Sequence, residues 1–176
     1  MSASLTNATA IGHNAKVDAN DKVRIGDSFV NSIGGNVGWT AFSDGRYKQQ
    51  IRDDVPGLAF INKLRTVTYL VDLNGLNEYY TGGNSDPNIN STSREDANIR
   101  HSGFIAQDVE KAAVDLGFSF SGIDKPENEN GLYGLRYGDF VVPLVKAVQE
   151  QQAIIEQQQL QIDELKKLVM ELAAQK

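Results

Sequence analysis

Ser43-Asp44-Gly45-Arg46-Tyr47-Lys48 divides this sequence into two parts of different character. Upstream, residues 1–42 read as a thin β repeat punctuated by glycine. Downstream, the chain reads as a compact α/β body that runs into one long helix. The expectation is an α+β protein in three segments: a short β-repeat arm over 1–42, a body over 43–138 with a loop insertion at about 74–100, and a C-terminal coiled-coil helix over 139–176. Because the chain opens in repeat-like sequence, it is expected to be the tail end of a longer protein.

Within the dividing stretch, a serine and a lysine stand five positions apart, and two readings are open. One is a serine helix cap beside a solvated lysine. The other is a Ser-Lys dyad, which needs a lysine that is neutral near pH 7. The reference pKa of lysine is ~10.4, and desolvation can lower it by several units. Trp39, Phe42, Tyr47 or a subunit interface are the candidates to supply that desolvation. Geometry adds a condition. Positions five apart on a regular helix point ~140° away from each other. A dyad therefore requires a bend, which Gly45 permits.

Outward on the amino-terminal side, Ile-Gly recurs at Ile11-Gly12, Ile25-Gly26 and Ile33-Gly34. Thr9-Ala10-Ile11-Gly12 and Val23-Arg24-Ile25-Gly26 share one frame, and Ala15, Val17 and Ala19 alternate with polar residues between them. Short alternating strands at a fixed period point to the rungs of a β-solenoid or β-roll, against the alternative of an irregular polar arm. The spacing is similar to the head repeats of trimeric adhesins and phage fibres. Too few repeats are present to stand alone, so association with further repeats or with identical chains is expected. Trp39 and Phe42 then serve either as packing for the next domain or as the wall of a cleft that holds the strand ending at Phe42.

Outward on the other side, Val55-Pro56-Gly57-Leu58 starts a short helix with Leu58, Ile61 and Leu64 on its apolar face and Phe60 alongside. Leu64 to Val71 reads as a strand. Residues 74–100 are rich in Asn, Gly, Ser and Asp and read as an exposed insertion. Asn90-Ser91-Thr92 in it matches a glycosylation sequon, which is discounted because nothing indicates secretion. A strand through Phe104 and Ile105 leads to a helix with Val109, Ala112, Ala113 and Leu116 inward and Gly117 at its end. Phe118 to Ile123 and Leu132 to Tyr137 read as further β segments.

The last segment has Asp139 as its expected N-cap and Pro143 in its first turn. Val141, Val148, Ile155, Ile162 and Val169 fall at heptad position a, and Leu144, Gln151, Gln158, Leu165 and Leu172 at d. β-branched a with Leu at d leans towards a dimer. Val145 at e with Ile154 and Leu168 at g widens the stripe, which favours three or more helices. A trimer is the expectation, since the β repeat also suits three-fold association.

Composition narrows the function. Residues 1–42 balance Lys16, Lys22 and Arg24 against Asp18, Asp21 and Asp27, so the net charge of -6 resides in the rest. An acidic body without a basic stripe argues against nucleic acid as a partner. The absence of cysteine excludes thiol catalysis and disulfides, and His13 and His101 form no ligand-spaced cluster, so no metal or cofactor is expected. No apolar run nears the ~20 residues that span a bilayer, so no membrane partner is expected.

Four stretches then line up together: Ser43-Asp44-x-x-x-Lys48; Leu64-Arg65-x-Val67-Thr68-Tyr69; Gly103-Phe104-Ile105-Ala106-Gln107-Asp108-Val109; and Tyr137-x-x-Phe140-x-x-x-Leu144-Val145-x-Ala147-Val148-Gln149-Glu150. In combination they resemble the self-cleaving intramolecular chaperone domain at the C-terminus of phage endosialidases and many tail fibres and spikes, which recurs in myelin regulatory factor. Thr66 departs from the family, whose members often carry proline there, and the departure touches a strand rather than the chemistry.

The resemblance implies a homotrimer that assembles an upstream fibre or spike polypeptide, here the client ending at 42, and then severs itself before the serine. The scissile bond would be Phe42–Ser43, with Ser43 as nucleophile and Lys48 as general base. Asp44 supports the motif. Gln107 reads first as a structural hydrogen bonder and second as an oxyanion donor. Attack within one chain and activation across a subunit interface both remain open. The implied setting is the host cytoplasm during virion assembly, with the client part in the virion tail. The competing reading is a non-enzymatic trimerisation and attachment module whose 74–100 loop binds a receptor.

Overall fold

The computed structural model describes residues 5–27, 30–83, 98–129 and 131–175. In chain order they form β1 (Thr9–Ile11), β2 (Val23–Ile25), a 3-10 turn (Gly45–Tyr47), α1 (Leu58–Ile61), β3 (Val67–Tyr69), α2 (Leu73–Thr81), β4 (His101–Gly103), α3 (Ala106–Asp115), β5 (Ile123–Asp124), β6 (Gly134–Leu135), a 3-10 turn (Tyr137–Phe140) and α4 (Val141–Ala174). The architecture is mixed α and β with a long C-terminal helix. Two compact units share the chain: Met1–Gln49 with Thr66–Phe104 and Lys125–Tyr133, and Gln50–Arg65 with Ile105–Asp124 and Gly134–Lys176.

In the first unit, β1 and β2 pair in parallel, with Thr9 opposite Val23, Ala10 opposite Arg24 and Ile11 opposite Ile25. The register is the sequence repeat itself. Side chains follow the same offset, the Thr6 N–H donating to Asn20 Oδ1 and Asn7 Nδ2 to Asp21 Oδ1, each across 14 residues. Turn conformations repeat too. Asn7 and Asp21 have φ of 52° and 57°, and Gly12 and Gly26 have φ of 105° and 74°, a region that glycine enters without steric cost. Lys22 is buried between Asp18 at 3.6 Å and Glu127 at 3.7 Å, and Asn128 Nδ2 donates to the Asp18 carbonyl.

The same unit holds β3 and β4, which pair antiparallel with Val67 opposite Gly103 and Tyr69 opposite His101. It also holds α2, where a loop was expected. Asp72 accepts from the Gly75 N–H as an N-cap, and Gly82 at φ 65° ends the helix. These two caps outweigh the polar composition between them, which alone reads as a loop. The remainder of the insertion, 84–97 with the Asn90-Ser91-Thr92 sequon, lies outside the described residues.

The second unit is built on aromatic rings. Phe60 is fully buried and meets Phe118 at 5.3 Å and Phe120 at 5.0 Å between centroids, and Phe120 meets Phe140 at 4.8 Å. Phe118 and Phe120 therefore serve as core rather than as a strand, and the β segment expected over Phe118–Ile123 shrinks to β5. β5 pairs antiparallel with β6. The strand expected through Phe104 and Ile105 lies earlier, at His101–Gly103 in β4. In α1 the buried residue is Phe60, with Leu58 and Ile61 only half-buried. α3 turns Val109, Ala112 and Ala113 inward and ends at Gly117, φ 61°.

Asp139 is not the N-cap of α4. The Tyr137–Phe140 turn runs directly into the helix, Phe140 takes the cap position without a side-chain bond, and Asp139 accepts from Ser121 Oγ at 2.8 Å. α4 has 34 residues, about 50 Å at ~1.5 Å per residue. Only Pro143 and Ala147 on it are buried; Val148, Ile155, Ile162, Leu165, Val169 and Leu172 are all exposed. No helix among the described residues is long and apolar enough to cross a membrane.

Candidate functional site

The Ser43–Lys48 stretch folds on local bonds. Asp44 is extended (φ −74°, ψ 123°) and caps the turn by accepting the Arg46 N–H at Oδ1, 2.9 Å. The Tyr47 N–H donates to the Asp44 carbonyl at 3.1 Å and the Lys48 N–H to the Gly45 carbonyl at 3.2 Å. One tight turn thus reverses the chain, and Lys48 leaves it extended. The Arg46 guanidinium grips the same carboxylate, with Nε 3.1 and 3.0 Å from its two oxygens and Nη2 2.6 Å from Oδ2. That guanidinium first, and the Arg46 backbone N–H second, hold the Asp44 carboxyl below the ordinary aspartate range. Reciprocally, Asp44 holds the Arg46 guanidinium in its charged form.

The reversal brings the two ends of the turn together. Lys48 Nζ donates to Ser43 Oγ at 2.7 Å. A depression of about 430 Å³ lies over the pair, lined by Phe42, Ser43, Asp44, Tyr47 and Lys48. Serine and lysine are both exposed. Of the expected aromatic wall, Phe42 and Tyr47 line this depression but are themselves 102% and 83% exposed, and Trp39, 89% exposed, is not among its lining residues. Both polar groups of the pair are therefore open to solvent in this chain. Among the described residues no group of three His, Asp or Glu is placed to hold a metal ion.

Residues 43–118 match a peptidase-family model described as the chaperone of endosialidase. That description agrees with the resemblance carried by the sequence stretches, three of which, 43–48, 64–69 and 103–109, lie inside the matched residues. No curated protein and no solved structure matches the chain.

Inside the endosialidase-chaperone match, two of those stretches meet twice. They pair as β3 and β4 in the first unit. In the second, Arg65 Nε and Nη2 donate to Asp108 Oδ2 at 2.9 and 2.7 Å. Gln107 stands exposed beside Asp108 in the first turn of α3. The helix stretch beyond the match has its own structural task. Glu150 Oε2 accepts the Leu58 N–H at 2.8 Å, capping α1 from 92 residues away, and Gly57 lies against the same place. A Cβ on Gly57 would come 2.7 Å from the Ala147 backbone nitrogen and 2.6 Å from Glu150 Oε2. Sequence reading missed the roles of Arg65, Asp108, Gly57 and Glu150. Pro56-Gly57 signals a turn, but no local sequence pattern signals the pairing of Leu58 with Glu150.

Proposed function

We propose that residues 43–176 are an intramolecular chaperone that trimerises an upstream β-structured fibre or spike and then cuts itself free at Phe42–Ser43. The observation that carries this reading is the start of the chaperone match at Ser43, the residue whose Oγ lies 2.7 Å from Lys48 Nζ. The setting is virion assembly in the host cytoplasm, with the client part remaining in the tail.

The chemistry follows from the turn. A neutral Lys48 takes the Oγ proton, Oγ attacks the Phe42 carbonyl carbon, and the peptide C–N bond breaks as the proton passes to the Ser43 nitrogen. The product is an ester between Phe42 and Ser43 Oγ. Water hydrolyses it, releasing the Phe42 carboxylate and restoring the Ser43 hydroxyl. A separation of 2.7 Å serves either polarity of the Ser–Lys hydrogen bond.

Assembly supplies what the exposed turn lacks. The apolar stripe of α4 is uncovered and has the β-branched a positions and widened flank of a three-helix seam. In this reading Lys48 is desolvated only on trimer formation, which couples the cut to correct folding. Intact-mass measurement tests this: the parent should yield 1–42 and 43–176, while Ser43→Ala stays whole and native mass counts three chains. A monomeric variant, Ile155→Glu with Ile162→Glu, should stay uncut. Equal cutting of parent and Ser43→Ala would sink the proposal.

The exposure of Lys48 favours a second reading, a trimerisation and attachment module without chemistry. A parent that assembles as a trimer yet is never cut selects it.

A further inference from the structure

The fourteen-residue frame set by β1 and β2 continues beyond β2. Leu5-Thr6-Asn7-Ala8-Thr9-Ala10-Ile11-Gly12 is followed by Ala19-Asn20-Asp21-Lys22-Val23-Arg24-Ile25-Gly26, and then, at the same offset, by Ile33-Gly34-Gly35-Asn36-Val37-Gly38-Trp39-Thr40. Val37 takes the place of Thr9 and Val23, and Trp39 that of Ile11 and Ile25. Gly35 takes the place of Asn7 and Asp21, both of which have positive φ, a conformation open to glycine. Ile33 falls with Leu5 and Ala19, so the visible Ile33-Gly34 pair belongs to a different position of the repeat from the two earlier Ile-Gly pairs.

Among the described residues, β2 pairs only with β1, which leaves its other edge open. Residues 33–40 carry no strand, and Val37 and Trp39 are 87% and 89% exposed. The length of chain between Gly26 and Ile33 equals that between Gly12 and Ala19, so the reach needed is one already made.

We propose that residues 33–40 form a third rung on the free edge of β2 of the same chain, with Val37 opposite Val23 and Trp39 opposite Ile25. Shifting the existing bonds by one repeat gives those of the new rung. The Asp21 N–H donates to the Thr6 carbonyl and the Gly26 N–H to the Ile11 carbonyl. Correspondingly, the Gly35 N–H donates to the Asn20 carbonyl and the Thr40 N–H to the Ile25 carbonyl. This rung is a terminal one. Gly34 and Gly35 lack the side chains with which Asn20 and Asp21 bind the rung before them. Thr40 replaces the positive-φ glycines at 12 and 26, and a β-branched residue disfavours that turn. The repeat therefore closes two residues short of Phe42, and a cut at Phe42–Ser43 would leave all three rungs on the client side.

The chain has one tryptophan and no cysteine, so Trp39 fluorescence and an introduced cysteine pair are both clean probes. Ser43→Ala full-length protein is used throughout, which separates failure here from failure of the cleavage reading. Acrylamide should quench Trp39 several-fold less in this protein than in its Gly35→Val derivative, while Gly35→Asn keeps the protection. Ile25→Cys with Trp39→Cys should close a disulfide within one chain on oxidation, and Ile25→Cys with Gly38→Cys should not. Equal quenching with and without Gly35→Val overturns the proposal, as does a cross-link that joins two chains and so assigns the edge to a second copy. Should Gly35→Val fail to fold, the cysteine pair still decides, since Gly35 is untouched in it.

Discussion

The bonds that shape the Ser43–Lys48 turn close within five residues, whereas the bond that seats α1 on α4 joins Leu58 to Glu150 across 92. The turn stands in water, its aromatic neighbours exposed. The α1–α4 dock is desolvated by its own chain, with Gly57 and Ala147 buried and Phe60 inaccessible beside Phe118 and Phe120. Local bonds can form in any state of the chain, so the turn's geometry cannot by itself time a reaction. The dock needs nothing further, and changes there should act on stability without touching the chemistry of the pair.

The largest effect that tests this contrast is on cutting. Lys48→Arg keeps the charge and reach of the side chain but cannot yield a neutral base. Loss of a positioned base costs about 10²–10⁴-fold in rate, so time-resolved intact mass should show the variant whole where the parent is cut, with an unchanged melting curve. Parental cutting in Lys48→Arg removes lysine from the mechanism. On the other side of the comparison, Phe60→Ala should cost about 3–5 kcal/mol of stability by emptying a ring-lined site. The measurement is the denaturation midpoint at fixed protein concentration, because assembly shifts it by mass action.

Smaller effects sharpen the account of the dock. Gly57→Ala drives a methyl group into the α4 backbone and should cost about 1–3 kcal/mol. Were the variant as stable as the parent, α1 would not be seated as described. Glu150→Ala strips the Leu58 N–H of its acceptor and should cost about 1 kcal/mol. Glu150→Gln, which keeps an acceptor, should recover most of that loss. All three measurements are denaturation midpoints.

This contrast also explains what the sequence could reveal. The parallel register of β1 and β2 was legible because it is a translation of the chain onto itself, and Gly117 was legible because helix C-caps are local. The turn was legible as a possibility, but the bend that lets Ser43 meet Lys48 is a 3-10 turn capped by Asp44, and Gly45 in it has neither a positive φ nor a close neighbour that would require glycine. Features that depend on remote partners were not. Phe118 and Phe120 have strand-like composition but are drawn to Phe60, Asp139 looks like a cap but is taken by Ser121, and α2 was hidden by a polar composition that Asp72 and Gly82 override. The exposure of Trp39 and Phe42 was unreadable for a different reason, since large apolar side chains read from composition alone as packed.

The smallest expected effect lies in the turn itself, where pH tests whether Asp44 holds the bend. Arg46 lowers the carboxyl pKa relative to an unfolded chain, in which it is ~3.9. A depressed carboxyl favours the folded turn wherever the carboxylate is ionised in both states, which is the range above ~3.9. The contribution declines as pH falls below that value and is lost through the lower folded pKa. The Arg46 amide resonance should accordingly stay constant from neutral pH down to about 5 and move only below the ordinary aspartate value. Asp44→Asn retains a cap acceptor for the Arg46 N–H but not the charge, so its resonance should not titrate. A midpoint at or above the free-aspartate value in the parent would mean that the Arg46 grip does not persist in solution and that the bend rests on the backbone bonds from Tyr47 and Lys48.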